Sequence, residues 1–404
     1  MSETDLQRLI GKFSVHDEEI QEHATEIWAE LRANCPVARS EAFGGFWMFS
    51  KYADVFDAER APHLFSSFPV TVPPFGNPMP MIPIEMDPPV HSKYRRVVGH
   101  QFAQGAVSAL EGQVRGIVEN LFANIAGRRE VDLVKELSRP LPIQVLLTLY
   151  MDIPAADQAY LAEQFVLMLT PDPNLPSDQV MAARQAAGMA CAQYLGQKIA
   201  ERRASPVGTD LITFLGRAEV DGAPLSMEEI LGFLLLLIPA GFDTTASTLS
   251  RTFLHLAERP DLRKQLQADP TLIPSAVEEF LRITTAVTGQ ARTVTQDCTF
   301  AGHDFTQGDR LVLLWASANR DEDVFTDPDE IVLTREPNKH LAFGSGIHRC
   351  LGMHVAKMEL RIMLEEFTRR IPDYHLDPDR PYHRHTGETW GLHTLPVIID
   401  GVPG

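Results

Sequence analysis

The segment from Ser226 to Pro260 constrains this chain more than any other. Ser226-Met227-Glu228-Glu229 is a capping box, in which serine and glutamate each satisfy a backbone N–H at a helix start. No turn signal follows until Arg259-Pro260. At the α-helical rise such a helix would be about 45–50 Å long, enough to cross the whole domain. Its middle, Leu231 to Ala240, is apolar on every face, which predicts burial on all sides, and it is expected to be too short and too interrupted to span a bilayer. Pro239 removes a backbone donor and leaves the Leu235 carbonyl without its helical partner, so a kink is expected there.

Inside this apolar stretch stands Ala240-Gly241-Phe242-Asp243-Thr244-Thr245. A buried carboxylate beside a hydroxyl is costly unless partnered, which makes the pair a functional candidate. A purely structural reading also exists: Thr244 would bond back to the Ala240 carbonyl, and Asp243 would pair with a remote base.

A second constraint is Phe343-Gly344-Ser345-Gly346-Ile347-His348-Arg349-Cys350-Leu351-Gly352, a glycine-bearing loop with one cysteine ahead of a helix expected from Leu351 to Arg370. Helix N–H groups and the positive dipole end aimed at the sulfur favour a thiolate, which can hold a metal. Three other readings compete. A phosphate cradle is disfavoured because the sixth position is Arg349 and no valine-rich strand leads in. A zinc site would need clustered ligands, yet Cys35, Cys191 and Cys298 are scattered singly. An ordinary buried cysteine is the usual answer for a lone Cys.

The whole pattern decides among them, because Phe343-x-x-Gly346-x-x-x-Cys350-x-Gly352 resembles the haem-binding loop of the cytochrome P-450 family. The resemblance implies that Cys350 is the axial ligand of haem iron, with Phe343 packed near the sulfur, Gly346 letting the loop pass close to the porphyrin, and His348 reaching a propionate. Asp87-Pro88-Pro89-Val90-His91-Ser92-Lys93-Tyr94-Arg95 matches the family's DPPxHxxxR motif. His91 and Arg95 share one helix face and would contact propionates, which suit the planar guanidinium fork. Arg292 matches a further propionate-binding arginine. Asp243 and Thr244 match the acid–alcohol pair that delivers protons beside the dioxygen site, next to Ala240. Spacing alone lets Glu278 or Glu279 pair with Arg282, and the family's ExxR motif selects Glu279, as structural support for the haem loop.

Eight prolines between Pro69 and Pro89 forbid a regular helix and predict a long loop, whose apolar content argues against disorder. In the family this segment walls the substrate pocket. The expected pocket residues are Val70, Met79, Met81, Leu236, Val287, Thr288 and Thr389. The layout is closest to camphor-hydroxylase-like bacterial members, in which a loop tyrosine binds the ketone. Alignment on Ile82-Pro83 puts Met79 there, and a thioether cannot donate a hydrogen bond.

Elsewhere Asp17 to Leu31 predicts one amphipathic helix, Phe43 to Ser50 a hairpin turning at Gly44-Gly45, and Arg292 to Trp315 short strands. The span from about 105 to 217 reads as helical, with breaks at Pro140-Leu141-Pro142, Pro154 and Pro171-Asp172-Pro173. No linker interrupts the 404 residues, so residues 1–404 are expected to form one catalytic domain, mainly α with a small β region. The net charge of −18 argues against nucleic acid and anionic membranes, and the polar N-terminus and scattered cysteines point to a soluble cytoplasmic protein, expected as a monomer.

By resemblance the activity is monooxygenation of a small apolar molecule, a terpenoid or small aromatic. Haem b and dioxygen carry the chemistry, and electrons come from NAD(P)H through a ferredoxin and its reductase. A peroxide-driven peroxygenase and a non-catalytic haem sensor are the alternatives. Neither accounts for Asp243-Thr244. Arg349, Lys93, Arg96, Lys357 and Arg361 are the expected ferredoxin-facing cations.

Overall fold

The computed structural model describes residues 2–74, 81–169 and 177–401, and it is built around the helix predicted first. Helix Met227–Glu258 is 32 residues long. Its capping box is formed, with the Ser226 side chain accepting from the Glu229 N–H at 3.1 Å and Glu229 Oε2 accepting from the Ser226 N–H at 2.6 Å. The kink expected at Pro239 is a π-helical turn, Pro239–Asp243, which absorbs the missing donor by widening one turn without ending the helix. One expectation is corrected here. With a mean hydropathy of 1.6 over its most apolar 18 residues, this helix is long and apolar enough to cross a membrane by length and composition, and half of that window is buried inside the fold.

The largest core cluster packs against this helix and draws on helices Glu111–Ile125, Ile273–Thr284 and Met353–Arg370. Phe253 stacks on Phe367 with ring centroids 4.3 Å apart, and the Tyr374 hydroxyl donates to the Phe253 carbonyl at 2.7 Å. Truncating such a wholly buried phenylalanine to alanine costs about 3–5 kcal/mol.

A five-stranded sheet closes one side, in the order Val37–Ser40, Phe46–Phe49, Arg310–Leu313, Gln290–Val294, Phe65–Ser66. Trp47 and Phe49 share a face, as alternation requires, but the hairpin pairs Val37 with Phe49 and so begins earlier than Phe43. A three-stranded sheet joins Tyr374–Leu376, Pro396–Ile399 and Glu130–Asp132.

Two helical expectations are also corrected. The segment from Asp17 to Leu31 forms two helices, Glu18–Glu22 and Ala24–Asn34, separated at His23. Pro140-Leu141-Pro142 breaks nothing: Pro140 opens helix Pro140–Gln144 between the π-helical turns Val134–Ser138 and Val145–Tyr150, where a missing N–H is tolerated. Pro171-Asp172-Pro173 lies outside the described residues.

Candidate active site

The cysteine loop is held from behind. The Cys350 N–H donates to the Phe343 carbonyl at 2.8 Å, and Gly346 adopts φ +62°, where an added Cβ would lie 2.4 Å from the Glu59 carbonyl oxygen. This glycine therefore permits close packing of the loop against the end of helix Tyr52–Glu59. The Phe343 ring is half-buried, with the Lys357 ammonium 5.5 Å from its centre. Cys350 lies deep among protein atoms, yet its side chain is accessible, so it faces an internal cleft. Burial pushes its thiol pKa up, against the lowering effects of the Gly352 N–H, Arg95 and Arg349. The helix-start contribution expected to favour the thiolate is present in the Gly352 N–H, and burial opposes it. The helix begins at Met353, two residues later than expected, and burial outweighs its N-terminus. A bound cation would reverse the balance, since coordination deprotonates a thiol outright.

Four nitrogen-bearing side chains gather beside the loop. His91 is buried at 2% exposure with neither ring nitrogen hydrogen-bonded, and its ring lies 4.3 Å from that of His348, whose Nε2 is also unpartnered. Burial and then the neighbouring Arg292, His91 and Arg95 hold the His348 pKa far below the usual imidazole range. Arg95 donates to the Arg349 carbonyl, and Arg292, buried, donates to the Ala291 carbonyl at 2.8 Å. Buried polar atoms without partners are rare, and a corner of arginines and imidazoles is chemically suited to carboxylates.

Sequence reasoning missed Glu59. It accepts from Trp315 Nε1 at 2.9 Å, lies against Arg292 and the Ser345 backbone, and has its pKa raised to about 7 by burial. Nothing local marks it, since it ends helix Tyr52–Glu59 some 290 residues before the loop it braces.

On the central helix Leu236, Ala240 and Thr244 lie four residues apart on one face, Ala240 exposed and the other two half-buried, as are Leu235, Leu237, Pro239 and Gly241, whereas Ile238, Phe242 and Asp243 are buried. The Thr244 hydroxyl donates to the Ala240 carbonyl at 2.9 Å, so the local bond of the structural reading is present. Asp243 is buried, and burial raises its pKa against the lowering effects of a Thr389 hydrogen bond, Arg139, His393 and Arg184. No direct ion pair to Asp243 forms among the described residues.

Of the expected pocket residues, Met81, Leu236, Val287 and Thr389 are half-buried, with Val287 and Thr389 paired backbone to backbone. Val70 and Thr288 are wholly buried and expose no side chain to the cleft, and Met79 lies outside the described residues. The Glu279–Arg282 pair is fully buried at 2.8 Å, while Glu278 turns to His340 and Lys357 instead.

Comparison with known proteins decides the family. A Cytochrome P450 family model matches residues 158–371, more than half of the chain. The steroid C26-monooxygenase of Mycobacterium tuberculosis is 35% identical over 377 residues, 92% of this chain and 99% of that protein. The chain belongs to the cytochrome P450 family. This cytochrome P450 is also 32% identical over 376 residues to the linalool 8-monooxygenase of Pseudomonas putida, covering 87% of this chain and 89% of that one. Its fold matches a Mycobacterium marinum cytochrome P450, CYP268A2, solved with pseudoionone, at a TM-score of 0.87 and 29% identity, covering 95% of this chain and 96% of that one. It is accordingly a haem monooxygenase of mainly helical fold, as the resemblance implied.

The haem that the family implies fits these residues, because the Cys350 thiol is accessible and two imidazoles with unpartnered nitrogens lie beside Arg95 and Arg292. The cationic face expected beside Cys350 is only partly free. Lys93 pairs with Asp221, Lys357 with Glu278, and Arg361 with Glu111 and Glu365. Among the described residues Arg96 and Arg349 are exposed without a carboxylate partner.

Proposed function

We propose that this P450, acting as one catalytic domain, hydroxylates an apolar terpenoid-like molecule with electrons delivered from NAD(P)H by a ferredoxin and its reductase. Cys350 would ligate the iron, and Arg95, Arg292, His91 and His348 would hold the propionates. The bound haem supplies dioxygen activation. The protein's own residues orient substrate, exclude water and move protons.

The accessible stripe on the central helix carries this reading. Leu236 and Ala240 offer apolar surface directly beside the Thr244 hydroxyl, so a bound hydrocarbon lies where proton delivery is arranged. Met81 and Val287, also half-buried, would add apolar wall, and affinity should follow buried apolar area at about 25 cal/mol per Å². A relative named for linalool and a structural neighbour holding pseudoionone favour a terpenoid over a small aromatic, with the steroid enzyme marking the larger end. The buried Asp243 beside Thr244 disfavours a peroxide-driven enzyme or a sensor, neither of which needs a proton-delivering pair.

Turnover with ferredoxin, reductase and NADH tests the proposal, after a screen of terpenoids, steroids and small aromatics that follows the haem absorption band. NADH-driven hydroxylation of a terpenoid is expected. Product with peroxide alone would make the protein a peroxygenase, and binding without product would make it a sensor.

A further inference from the structure

The proline-rich stretch expected to wall the pocket is tied together by one carboxylate. Glu85 accepts from the Val70 N–H through Oε1 at 3.2 Å and from the Met81 N–H through Oε2 at 3.0 Å, so its two oxygens join separate points of that stretch. The Glu85 N–H in turn donates to the Met81 carbonyl at 3.0 Å, closing Met81 to Glu85 into a turn. A helix or a central strand would satisfy such backbone groups by repetition. The prolines exclude both, and the Glu85 side chain takes over that role.

The two points differ in what else holds them. On the Val70 side the chain is bonded to the five-stranded sheet. The Val70 carbonyl accepts from the Ala291 N–H at 2.8 Å, the flanking carbonyls of Pro69 and Thr71 accept from Arg310 Nη2 at 2.7 and 2.8 Å, and the Phe68 carbonyl accepts from the Thr293 hydroxyl at 2.7 Å. Met81 has no such support: among the described residues both of its backbone groups bond only to Glu85. Its neighbour Ile82 is buried in the main core cluster, while Met81 itself is half-buried. The sheet therefore fixes Val70 directly and Met81 through Glu85.

We propose that Glu85 is a positioning residue for ligand size: by holding the Met81 backbone to the sheet-bound Val70, it fixes how far the Met81 side chain extends the pocket wall, and so which apolar molecules fit. A methionine side chain has three rotatable bonds and packs adaptably, so definition at this point comes from its backbone. Glu85 touches neither haem nor substrate in this role and acts through Met81. Its bonds are made by a carboxylate, which makes them stronger than those of a neutral acceptor.

This inference rests on the reading of Met81 as pocket wall, and the test separates the two. Haem-loaded protein is titrated with imidazole, which binds the iron and is too small to reach the wall, and with phenylimidazole, whose second ring extends toward it; the haem absorption band reports both. Glu85→Ala removes both acceptors, so the larger azole must order the wall as it binds. Its affinity should fall about 10-fold, the size of one hydrogen bond to a charged group, with imidazole binding unchanged. Glu85→Gln keeps one acceptor oxygen and should fall between, and it carries the test if Glu85→Ala does not fold. Equal weakening of both azoles would make Glu85 a support of the whole fold and overturn the proposal, as would unchanged binding of both. Met81→Ala decides the underlying reading. If it leaves phenylimidazole affinity unchanged, Met81 is not pocket wall and the proposal falls with that reading, whereas an effect of Met81→Ala without one of Glu85→Ala refutes Glu85 alone. Hydrogen exchange needs no ligand: the Val70 and Met81 amides should exchange faster in Glu85→Ala than in wild type, and equal protection would refute the clamp.

Discussion

Removing Glu279 exposes how the haem-loop side of the molecule is held. Its side chain has no solvent exposure and accepts from Arg282 Nε at 2.9 Å and Nη2 at 2.8 Å, Arg335 Nε at 3.0 Å, Asn338 Nδ2 at 3.0 Å and the Val332 N–H at 2.9 Å. Arg282 in turn donates to the carbonyls of Asn319, Pro328 and Glu330, so one carboxylate ties helix Ile273–Thr284 to the chain leading into the cysteine loop. Glu279→Ala leaves two buried guanidiniums without a counter-charge. Breaking a buried pair by deleting one partner costs about 3–5 kcal/mol. Denaturant unfolding at matched haem loading should show that loss, together with faster haem transfer to an acceptor protein. Glu279→Gln, which keeps the volume and one acceptor oxygen, should lose less. A Glu279→Ala protein within about 1 kcal/mol of wild type would refute the argument, because surface pairs contribute only that much.

Thr244→Ala should still consume NADH and dioxygen while diverting flux to hydrogen peroxide, since a hydroxyl beside the apolar stripe is lost; unchanged product per NADH would exclude Thr244 from proton delivery. Glu59 is raised to about 7 from 4.5, so the native state holds its proton more tightly than the unfolded chain. Its stabilising effect is full below about pH 4.5 and is lost as pH rises to about 7, by at most about 3 kcal/mol. Glu59→Gln should flatten that slope in unfolding measured across the window, and a retained slope would locate the titration elsewhere. Arg349→Glu, at a cation left without a carboxylate partner among the described residues, should weaken ferredoxin binding several-fold at low salt and leave substrate affinity intact; equal loss of both would argue against this face.

The fold was legible wherever a local signal was strong. The capping box fixed one end of the central helix, and Pro239 marked the turn that becomes π-helical. Motif spacing singles out His91, Arg95, Arg292, His348 and Cys350, and the chain folds them into one corner. What spacing cannot reveal is pairing between distant segments. Glu59 reaches the cysteine loop, and Arg335 and Asn338 complete the Glu279 cage. Prolines misled at Pro140-Leu141-Pro142, where position within the first helical turn decides whether the missing donor matters. Of the cations expected to face a ferredoxin, Lys93, Lys357 and Arg361 pair with Asp221, Glu278 and Glu111, carboxylates remote in sequence that spacing does not announce.

The central claim is that Cys350 ligates haem iron as a thiolate, and the reduced carbon monoxide complex tests it most directly. Wild-type protein should show the red-shifted absorption band that reports a thiolate ligand, and Cys350→His should retain some haem through the His91, Arg95 and Arg292 corner while losing that band entirely. A Cys350→His protein that keeps the band would mean that another residue holds the iron.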